Sequence, residues 1–219
     1  MKELGADAGL SFDGDADRLL LSDETGRVVN GDRIMALAGQ ALHAAGQLPG
    51  GIVVGTVMSN LGLERGLEHM GLRLVRTQVG DRYVLEEMQR LGATLGGEQS
   101  GHVIFLDHAT TGDGLVTALL TLKILRESGG TLSRLADLIT DYPQQLINVT
   151  VASVKGWNDN SAVRQIISEA EADLGDEGRV LVRASGTEPK IRVMVEALQA
   201  EKVARWCSGI ADVIKVASC

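Results

Sequence analysis

Short apolar runs of strand length alternate with longer amphipathic stretches through most of this 219-residue chain. The apolar runs at 51–56 and 73–77 are each followed by a helix-length stretch, at 60–70 and 81–91. Such alternation is typical of a sheet flanked by helices, because each helix connects one strand to the next. We therefore expect an α/β protein with mixed sheets flanked by helices.

Two breaks interrupt this pattern. Residues 46–51 (GQLPGG) are rich in glycine and are typical of a linker, and Tyr142-Pro143 forms the second break. The first segment carries one hairpin and one helix, which cannot close a hydrophobic core unaided, so we expect the chain to begin inside a domain. The last segment has the pattern of a compact α+β unit. The predicted segments are 1–47, 48–142 and 143–219.

The charge of the chain excludes one class of partner. Its 29 acidic and 21 basic residues give a net charge of −8 at pH 7, whereas nucleic-acid binders need clustered cations to displace counterions from phosphates. No apolar stretch approaches the roughly 18 residues of a membrane span, and the first residues lack a signal-peptide pattern. We expect a cytoplasmic protein with no nucleic-acid or membrane partner.

The first motif with chemical potential is an acidic loop, D-G-D-A-D-R at 13–18. Asp13, Asp15 and Asp17 alternate along a turn that contains glycine, so their carboxylates can meet at one divalent cation. Three uncompensated carboxylates this close repel one another. The loop therefore predicts a Mg²⁺ site.

This loop also has features of an EF-hand and of a phosphatase. An EF-hand fails, because Arg18 stands where that loop needs glycine and strand-like sequence flanks it. A phosphatase of the haloacid-dehalogenase type remains an alternative. There an Asp-x-Asp pair after a strand supplies the nucleophile and the acid/base, and Gly112-Asp113-Gly114 would form a second metal loop.

The second motif is the glycine-bounded turn G-E-Q-S-G-H at 97–102, called the sugar loop below. Its glycines let the backbone turn sharply and approach a ligand closely. Glu98 and Ser100 offer an acceptor and a hydroxyl suited to sugar hydroxyl groups. His102 is of a type that moves protons near neutral pH.

The third motif, R-A-S-G-T-E-P-K-I-R at 183–192, is called the phosphate loop below. Its small residues expose consecutive backbone N–H groups as an anion nest, and its hydroxyls add donors. Its cations add positive charge in a chain that is acidic overall. The residues predicted to bind a phosphate are Arg183, Ser185, Gly186, Thr187, Lys190 and Arg192.

Taken in this order, the three motifs resemble those of the α-D-phosphohexomutase superfamily. T-V-M-S-N at 56–60 and V-G-D-R-Y-V at 79–84 further resemble the bacterial phosphoglucosamine mutase branch. The resemblance covers nearly the whole chain and implies the C-terminal part of a phosphohexomutase-like multidomain fold. In that fold the first segment is the end of domain 2, the second is domain 3 and the third is a C-terminal phosphate-binding domain 4.

The resemblance also implies a reaction. A phosphoserine exchanges its phosphoryl group with the 1- and 6-oxygens of a hexose phosphate, through a hexosamine 1,6-bisphosphate intermediate. The acidic loop would hold one Mg²⁺ beside this phosphoserine, and Arg18 would stabilise charge near the metal. His102 would lie close to the reacting oxygen, and Asp81 and Arg82 would line the cleft wall.

One family motif is missing from the chain. Family members are about twice this length and carry the nucleophilic serine in a Thr-Ala-Ser-His-Asn-like loop, which nothing here matches. We expect a part of a phosphoglucosamine mutase that lacks the phosphoserine domain and is inactive alone, partnered by the missing N-terminal half or self-associated through exposed apolar surface. A non-catalytic phosphosugar-binding module is an alternative.

Overall fold

The computed structural model describes residues 2–186 and 188–217. Within them it contains ten strands and seven α-helices, together with short 3₁₀ helices at Lys2–Leu4, Pro49–Gly51, Trp157–Asp159 and Gly175–Glu177. The chain divides into two units, Met1–Asp141 and Tyr142–Cys219.

The first unit begins with a small antiparallel sheet. It consists of β1 (Ala8–Phe12), β2 (Leu19–Asp23) and β3 (Val28–Val29), in that order. The acidic loop is the connection between β1 and β2. Asp23 is fully buried and holds the turn into β3, because its carboxylate accepts the backbone N–H groups of Thr25 and Arg27, both at 3.0 Å.

A helix-covered sheet makes up the rest of the first unit. Its strand order is β5-β4-β6-β7, with β4 parallel to β5 and β6, and β7 antiparallel to β6. Side chains alternate along β4, so Val53 and Val54 join apolar clusters on opposite faces. In chain order the elements are α1 (Gly31–Ala44), β4 (Ile52–Thr56), α2 (Leu61–His69), β5 (Arg73–Thr77), α3 (Asp81–Leu91), β6 (Leu95–Gly97), β7 (Val103–Phe105), α4 (Gly114–Ser128) and α5 (Leu132–Ala136).

The core of the first unit contains residues on both sides of the predicted boundary at 47/48. Val29 and Val53, for example, belong to one buried cluster. Helix α1 is central to that cluster, since Gly31 to Gly39 are all buried. The division into three segments stays a prediction.

The second unit is an antiparallel sheet with two helices. Its strands are β8 (Gln144–Thr150), β9 (Gly178–Ala184) and β10 (Lys190–Ala197), in the order β8-β10-β9. Helices α6 (Ser161–Leu174) and α7 (Ala200–Ala217) share a buried cluster with the sheet. Across all described residues, no helix has both the length and the apolar character that a membrane crossing demands.

The mixed α/β organisation expected from the alternation is therefore present. The buried face of helix α4 is not evident from its sequence, because the helix is apolar almost all round. Its buried stripe includes Thr117, Ala118 and Thr121, while Leu115 and Leu119 are 60% and 68% exposed. Periodicity cannot select the buried face of such a helix.

Candidate active site

The acidic loop brings its three carboxylates together. One oxygen each of Asp13, Asp15 and Asp17 lies within 4.8 Å of the others. The chain turns sharply here, since the Ala16 N–H donates to the Asp13 carbonyl at 3.3 Å and Ala16 has a left-handed φ of 59°. The cluster predicted from the sequence is therefore assembled at the end of β1.

Arg18 lies beside two of these carboxylates. Its Nε is 3.7 Å from Asp13 Oδ2 and 3.8 Å from Asp17 Oδ1, and its backbone N–H donates to Asp13 Oδ1 at 3.3 Å. These separations are long for ion pairs, and the Arg18 side chain is half exposed. Arg18 thus compensates part of the negative charge of the loop and leaves Asp15 to solvent.

The carboxylate of Asp17 fits a metal ligand in two respects. Its Oδ1 is buried and has no hydrogen-bond partner among the described residues, which is costly for a charged oxygen unless a cation satisfies it. Its Oδ2 lies 3.1 Å from His102 Nδ1. Hard carboxylate oxygens of this kind suit Mg²⁺.

His102 is held at both ring nitrogens. The side chain is only 4% exposed, and the Gly112 N–H donates to its Nε2 at 3.1 Å. Nδ1 therefore carries the proton and donates to Asp17, which orients the carboxylate as an outer-shell partner does in metal sites. A Cβ on Gly112 would lie 2.4 Å from His102 Nε2, so only glycine allows this approach. The role of His102 at a reacting oxygen stays a prediction.

The sugar loop lies next to the acidic loop. Its turn is closed by the Gly101 N–H donating to the Glu98 carbonyl at 3.0 Å and the Glu98 N–H donating to the His102 carbonyl at 2.8 Å. The Leu19 N–H, one residue after the acidic loop, donates to the Gly101 carbonyl at 3.1 Å. Ser100 is exposed and Glu98 is half-buried. Both side chains predicted to bind sugar hydroxyls thus sit on a turn fixed against the acidic loop.

The start of α3 reaches the sugar loop through its backbone. The Gly80 N–H donates to Glu98 Oε1 at 3.0 Å. Asp81 and Arg82 are exposed, and Arg82 Nε forms an ion pair with Glu86 at 2.7 Å. The structure connects Gly80, rather than the two predicted side chains, to this loop.

The phosphate loop belongs to the second unit, at the turn between β9 and β10. Arg183 and Arg192 are directly opposite each other in the sheet register, and like charges in that position repel. Burial, followed by the charge of Arg192, lowers the pKa of the Arg183 guanidinium. Two neighbouring guanidiniums, one of them partly desolvated, form a site that an anion would stabilise.

Glu188 is the carboxylate that, among the described residues, pairs with cations of this loop. Glu188 accepts from Lys190 Nζ at 2.6 Å and lies 3.9 Å from Arg192 Nη2. Arg192 Nε is buried without a hydrogen-bond partner among the described residues. Ser185 is buried, and its N–H donates to the Lys190 carbonyl at 2.8 Å.

Two further predicted residues complete this loop. Gly186 is exposed with open space around it. Thr187 lies outside the described residues. The structure therefore places five of the six residues predicted to bind phosphate, Arg183, Ser185, Gly186, Lys190 and Arg192, on this hairpin.

The roles of two residues behind these loops were not predicted from the sequence, where Gly112 was named only as part of a second metal loop in the phosphatase alternative. Gly112 supports His102, and Asp32 is a fully buried acid behind the sugar loop. The available signal for Asp32 was a carboxylate inside an otherwise apolar helical stretch, two residues after the Asn30 N-cap. For Gly112 no local signal existed, because its partner is ten residues away in the chain.

Comparisons with known proteins found similar proteins for both units of the chain. Residues 30–142 match the family model described as "Phosphoglucomutase/phosphomannomutase, alpha/beta/alpha domain III", and residues 146–213 match "Phosphoglucomutase/phosphomannomutase, C-terminal domain". The phosphoglucosamine mutase of Geobacillus kaustophilus (strain HTA426) is 51% identical over 98% of this chain and 48% of its own length. That of Solibacter usitatus (strain Ellin6076) is 54% identical over 94% and 46%. The chain spans about half the length of the curated relatives it matches.

Solved structures share the fold. Aspergillus fumigatus N-acetylphosphoglucosamine mutase, crystallised with GlcNAc-6P and magnesium, matches with a TM-score of 0.80 at 24% identity, over 94% of this chain and 52% of its own. A phosphoglucomutase/phosphomannomutase family protein from Burkholderia thailandensis matches with a TM-score of 0.75 at 25% identity, over 99% and 48%. These structures confirm the predicted mixed α/β fold, and the family models and curated relatives confirm the resemblance to the phosphohexomutases.

Proposed function

This chain belongs to the phosphoglucomutase/phosphomannomutase family, and on that premise we propose that it is part of a phosphoglucosamine mutase. The reaction would interconvert glucosamine 6-phosphate and glucosamine 1-phosphate through a hexosamine 1,6-bisphosphate. Residues 1–219 would supply the metal, sugar and phosphate loops, and a phosphoserine outside them would carry the phosphoryl group. The names of the relatives at about 50% identity support this choice.

The observation that carries the proposal is the direct connection of the acidic loop, the sugar loop and the segment around Gly112, all in the first unit. His102 Nδ1 reaches Asp17 at 3.1 Å, the Leu19 N–H reaches the Gly101 carbonyl at 3.1 Å, and the Gly112 N–H reaches His102 at 3.1 Å. A prospective metal site and a prospective sugar site are therefore held in one rigid group. Phosphoryl transfer depends mainly on such positioning and on charge stabilisation.

Asp13, Asp15 and Asp17 would hold the Mg²⁺. The buried Oδ1 of Asp17 supports this assignment, because it has no hydrogen-bond partner among the described residues and only a distant cation, Arg18 Nε at 3.8 Å. The magnesium and glucose 1,6-bisphosphate named for two similar structures also support it. When bound, the ion would neutralise charge on a phosphoryl group. His102 would hold Asp17 in its orientation, and Arg18 would balance the carboxylates.

The roles proposed for the sugar-binding and phosphate-binding side chains follow from their hydrogen-bonding groups. Glu98 accepts and Ser100 donates or accepts, which lets both bind vicinal sugar hydroxyls in either orientation of the substrate. In the second unit, the guanidiniums of Arg183 and Arg192 would bind a phosphate group. A small acidic phosphosugar, rather than a nucleic acid or a membrane, is the partner in this proposal, and its location is the cytoplasm.

The phosphatase alternative is less well supported. The curated relatives at about 50% identity are named phosphoglucosamine mutases, which favours the mutase over a phosphatase. The phosphatase would hydrolyse a generic phosphate ester, and the mutase would not.

Calorimetric titration with glucosamine 6-phosphate tests the proposal. Replacing Arg183→Ala removes a charged hydrogen-bond donor and should weaken binding about 10- to 100-fold. Arg164→Ala is the matched control, because it removes an exposed cation from α6 of the same unit. Equal affinities of the two variants, or no binding by the unmodified chain, would refute the proposal.

A further inference from the structure

Asp32 is an acid buried behind the sugar loop. It is the second residue of α1, its side chain is 0% exposed, and the helix around it is buried from Gly31 to Gly39. A carboxylate in the first helical turn gains from the helix dipole, but its desolvation is costly. An apolar side chain at this position would avoid that desolvation cost. The hydrogen bonds of Asp32 therefore indicate why an acid occupies it.

The carboxylate of Asp32 connects two loops. Its Oδ2 accepts the Asn60 backbone N–H at 2.9 Å and the Gln99 Nε2–H at 3.2 Å. Asn60 ends the T-V-M-S-N segment and caps α2 through its own side chain. Gln99 is the central residue of the sugar loop. One oxygen atom thus joins the start of α1 to the loop that carries Glu98 and Ser100.

The backbone beside Asp32 strengthens this connection. The Gly31 N–H donates to the Gln99 carbonyl at 3.1 Å, so Gln99 is held at both its main chain and its side chain. A Cβ on Gly31 would lie 2.0 Å from the Glu98 carbonyl oxygen, which shows how closely the helix start meets the loop. Ser100, the next residue after Gln99, is exposed. The loop therefore presents Glu98 and Ser100 from an anchored residue between them.

We propose that Asp32 is a positioning residue of the sugar loop: its carboxylate holds Gln99 from inside the fold and so orients Glu98 and Ser100 toward the hydroxyls of a phosphosugar. The ligand in this inference rests on the proposed function. The anchoring of the loop by Asp32 does not. Because Asp32 is fully buried, it would not touch the substrate itself.

Two substitutions at Asp32 separate an anchoring role from a general structural one. Asp32→Leu keeps the branched shape and removes the acceptor, whereas Asp32→Asn removes the charge and keeps an acceptor oxygen for both donors. In Asp32→Leu, backbone amides of residues 98–101 should exchange hydrogen faster. Its affinity for glucosamine 6-phosphate should fall about 10-fold, as expected for one lost hydrogen-bonded anchor. In Asp32→Asn, the amide exchange rates of residues 98–101 and the affinity for glucosamine 6-phosphate should stay near those of the unmodified chain.

Inorganic phosphate is the second probe. It lacks sugar hydroxyls, so its affinity should be the same in the unmodified chain and in Asp32→Leu. If Asp32→Leu does not fold, Gln99→Ala carries the test, because it removes the anchored side chain from a half-buried loop position. It should reproduce the faster exchange and the selective loss of sugar phosphate binding.

The possible failures are distinguishable. Unchanged exchange at 98–101 in Asp32→Leu, an equal loss in Asp32→Asn, or a matching loss of inorganic phosphate binding would overturn the inference. If the unmodified chain does not bind glucosamine 6-phosphate at all, the proposed function fails. The exchange measurement then still decides whether Asp32 anchors the loop.

Discussion

The buried carboxyl of Asp32 should make stability fall as the pH rises. Burial raises its pKa from 3.8 to about 7, and the negative charge of Asp141 adds to the rise, while hydrogen bonds from Asn60, Ser59 and Gln99 oppose it. The folded protein therefore binds one more proton than the unfolded chain between these two pKa values. The stabilising effect is complete below pH 3.8 and is lost as the pH rises through 7. At about 1.4 kcal/mol for each pKa unit, the total loss is about 4 kcal/mol.

Urea unfolding of the unmodified chain and of Asp32→Asn measures this effect. Far-UV circular dichroism reports both units, while Trp157 and Trp206 lie in the second unit and give an internal control by fluorescence. Between about pH 5 and about pH 8, the unmodified chain should lose about 2.5 kcal/mol of unfolding free energy relative to the variant. The other carboxyls contribute equally to the pH dependence of both proteins, so their contributions cancel in this difference. Parallel pH profiles of the two proteins would refute the assignment of a buried, titrating Asp32.

Two further predictions concern Mg²⁺ binding by the acidic loop. His102→Ala should weaken Mg²⁺ binding about 10- to 100-fold in a calorimetric titration, because a metal ligand loses its outer-shell partner; the exposed His43→Ala is the control, and equal affinities would contradict the prediction. Gly112→Ala should lower both the Mg²⁺ affinity and the melting temperature, since its Cβ would lie 2.4 Å from the imidazole Nε2. Gly130→Ala is the control, because the nearest atom to its Cβ would be 3.5 Å away, and it should change neither the Mg²⁺ affinity nor the melting temperature. If Gly112→Ala behaves like this control, the steric reasoning is wrong.

Local patterns were sufficient for most of the secondary structure. The strand at 73–77 and the helix at 81–91 have the predicted bounds, because each carries a clear apolar period between breaks. The acidic loop was also readable, since three carboxylates within five residues must lie near one another. These are properties of short segments, and no partner elsewhere in the chain is needed to determine them.

Contacts between distant segments were not predictable. Helix α4 is apolar on several sides, so its packing neighbours, and not its sequence pattern, decide that Leu115 and Leu119 are exposed. Helix α5 was missed because its five residues are too few to show a period. The anchoring of Gln99 by Asp32 spans 67 residues and depends on the tertiary fold.

A chimera tests the proposed mutase function most directly. In the Geobacillus relative, the segment that matches this chain over 215 residues would be replaced by residues 1–219. A coupled assay would then follow the formation of glucosamine 1-phosphate from glucosamine 6-phosphate with Mg²⁺ and a trace of the bisphosphate. We expect turnover that Asp15→Ala abolishes. Release of inorganic phosphate in place of isomerisation, or a folded chimera that binds the substrate without converting it, would contradict the proposal.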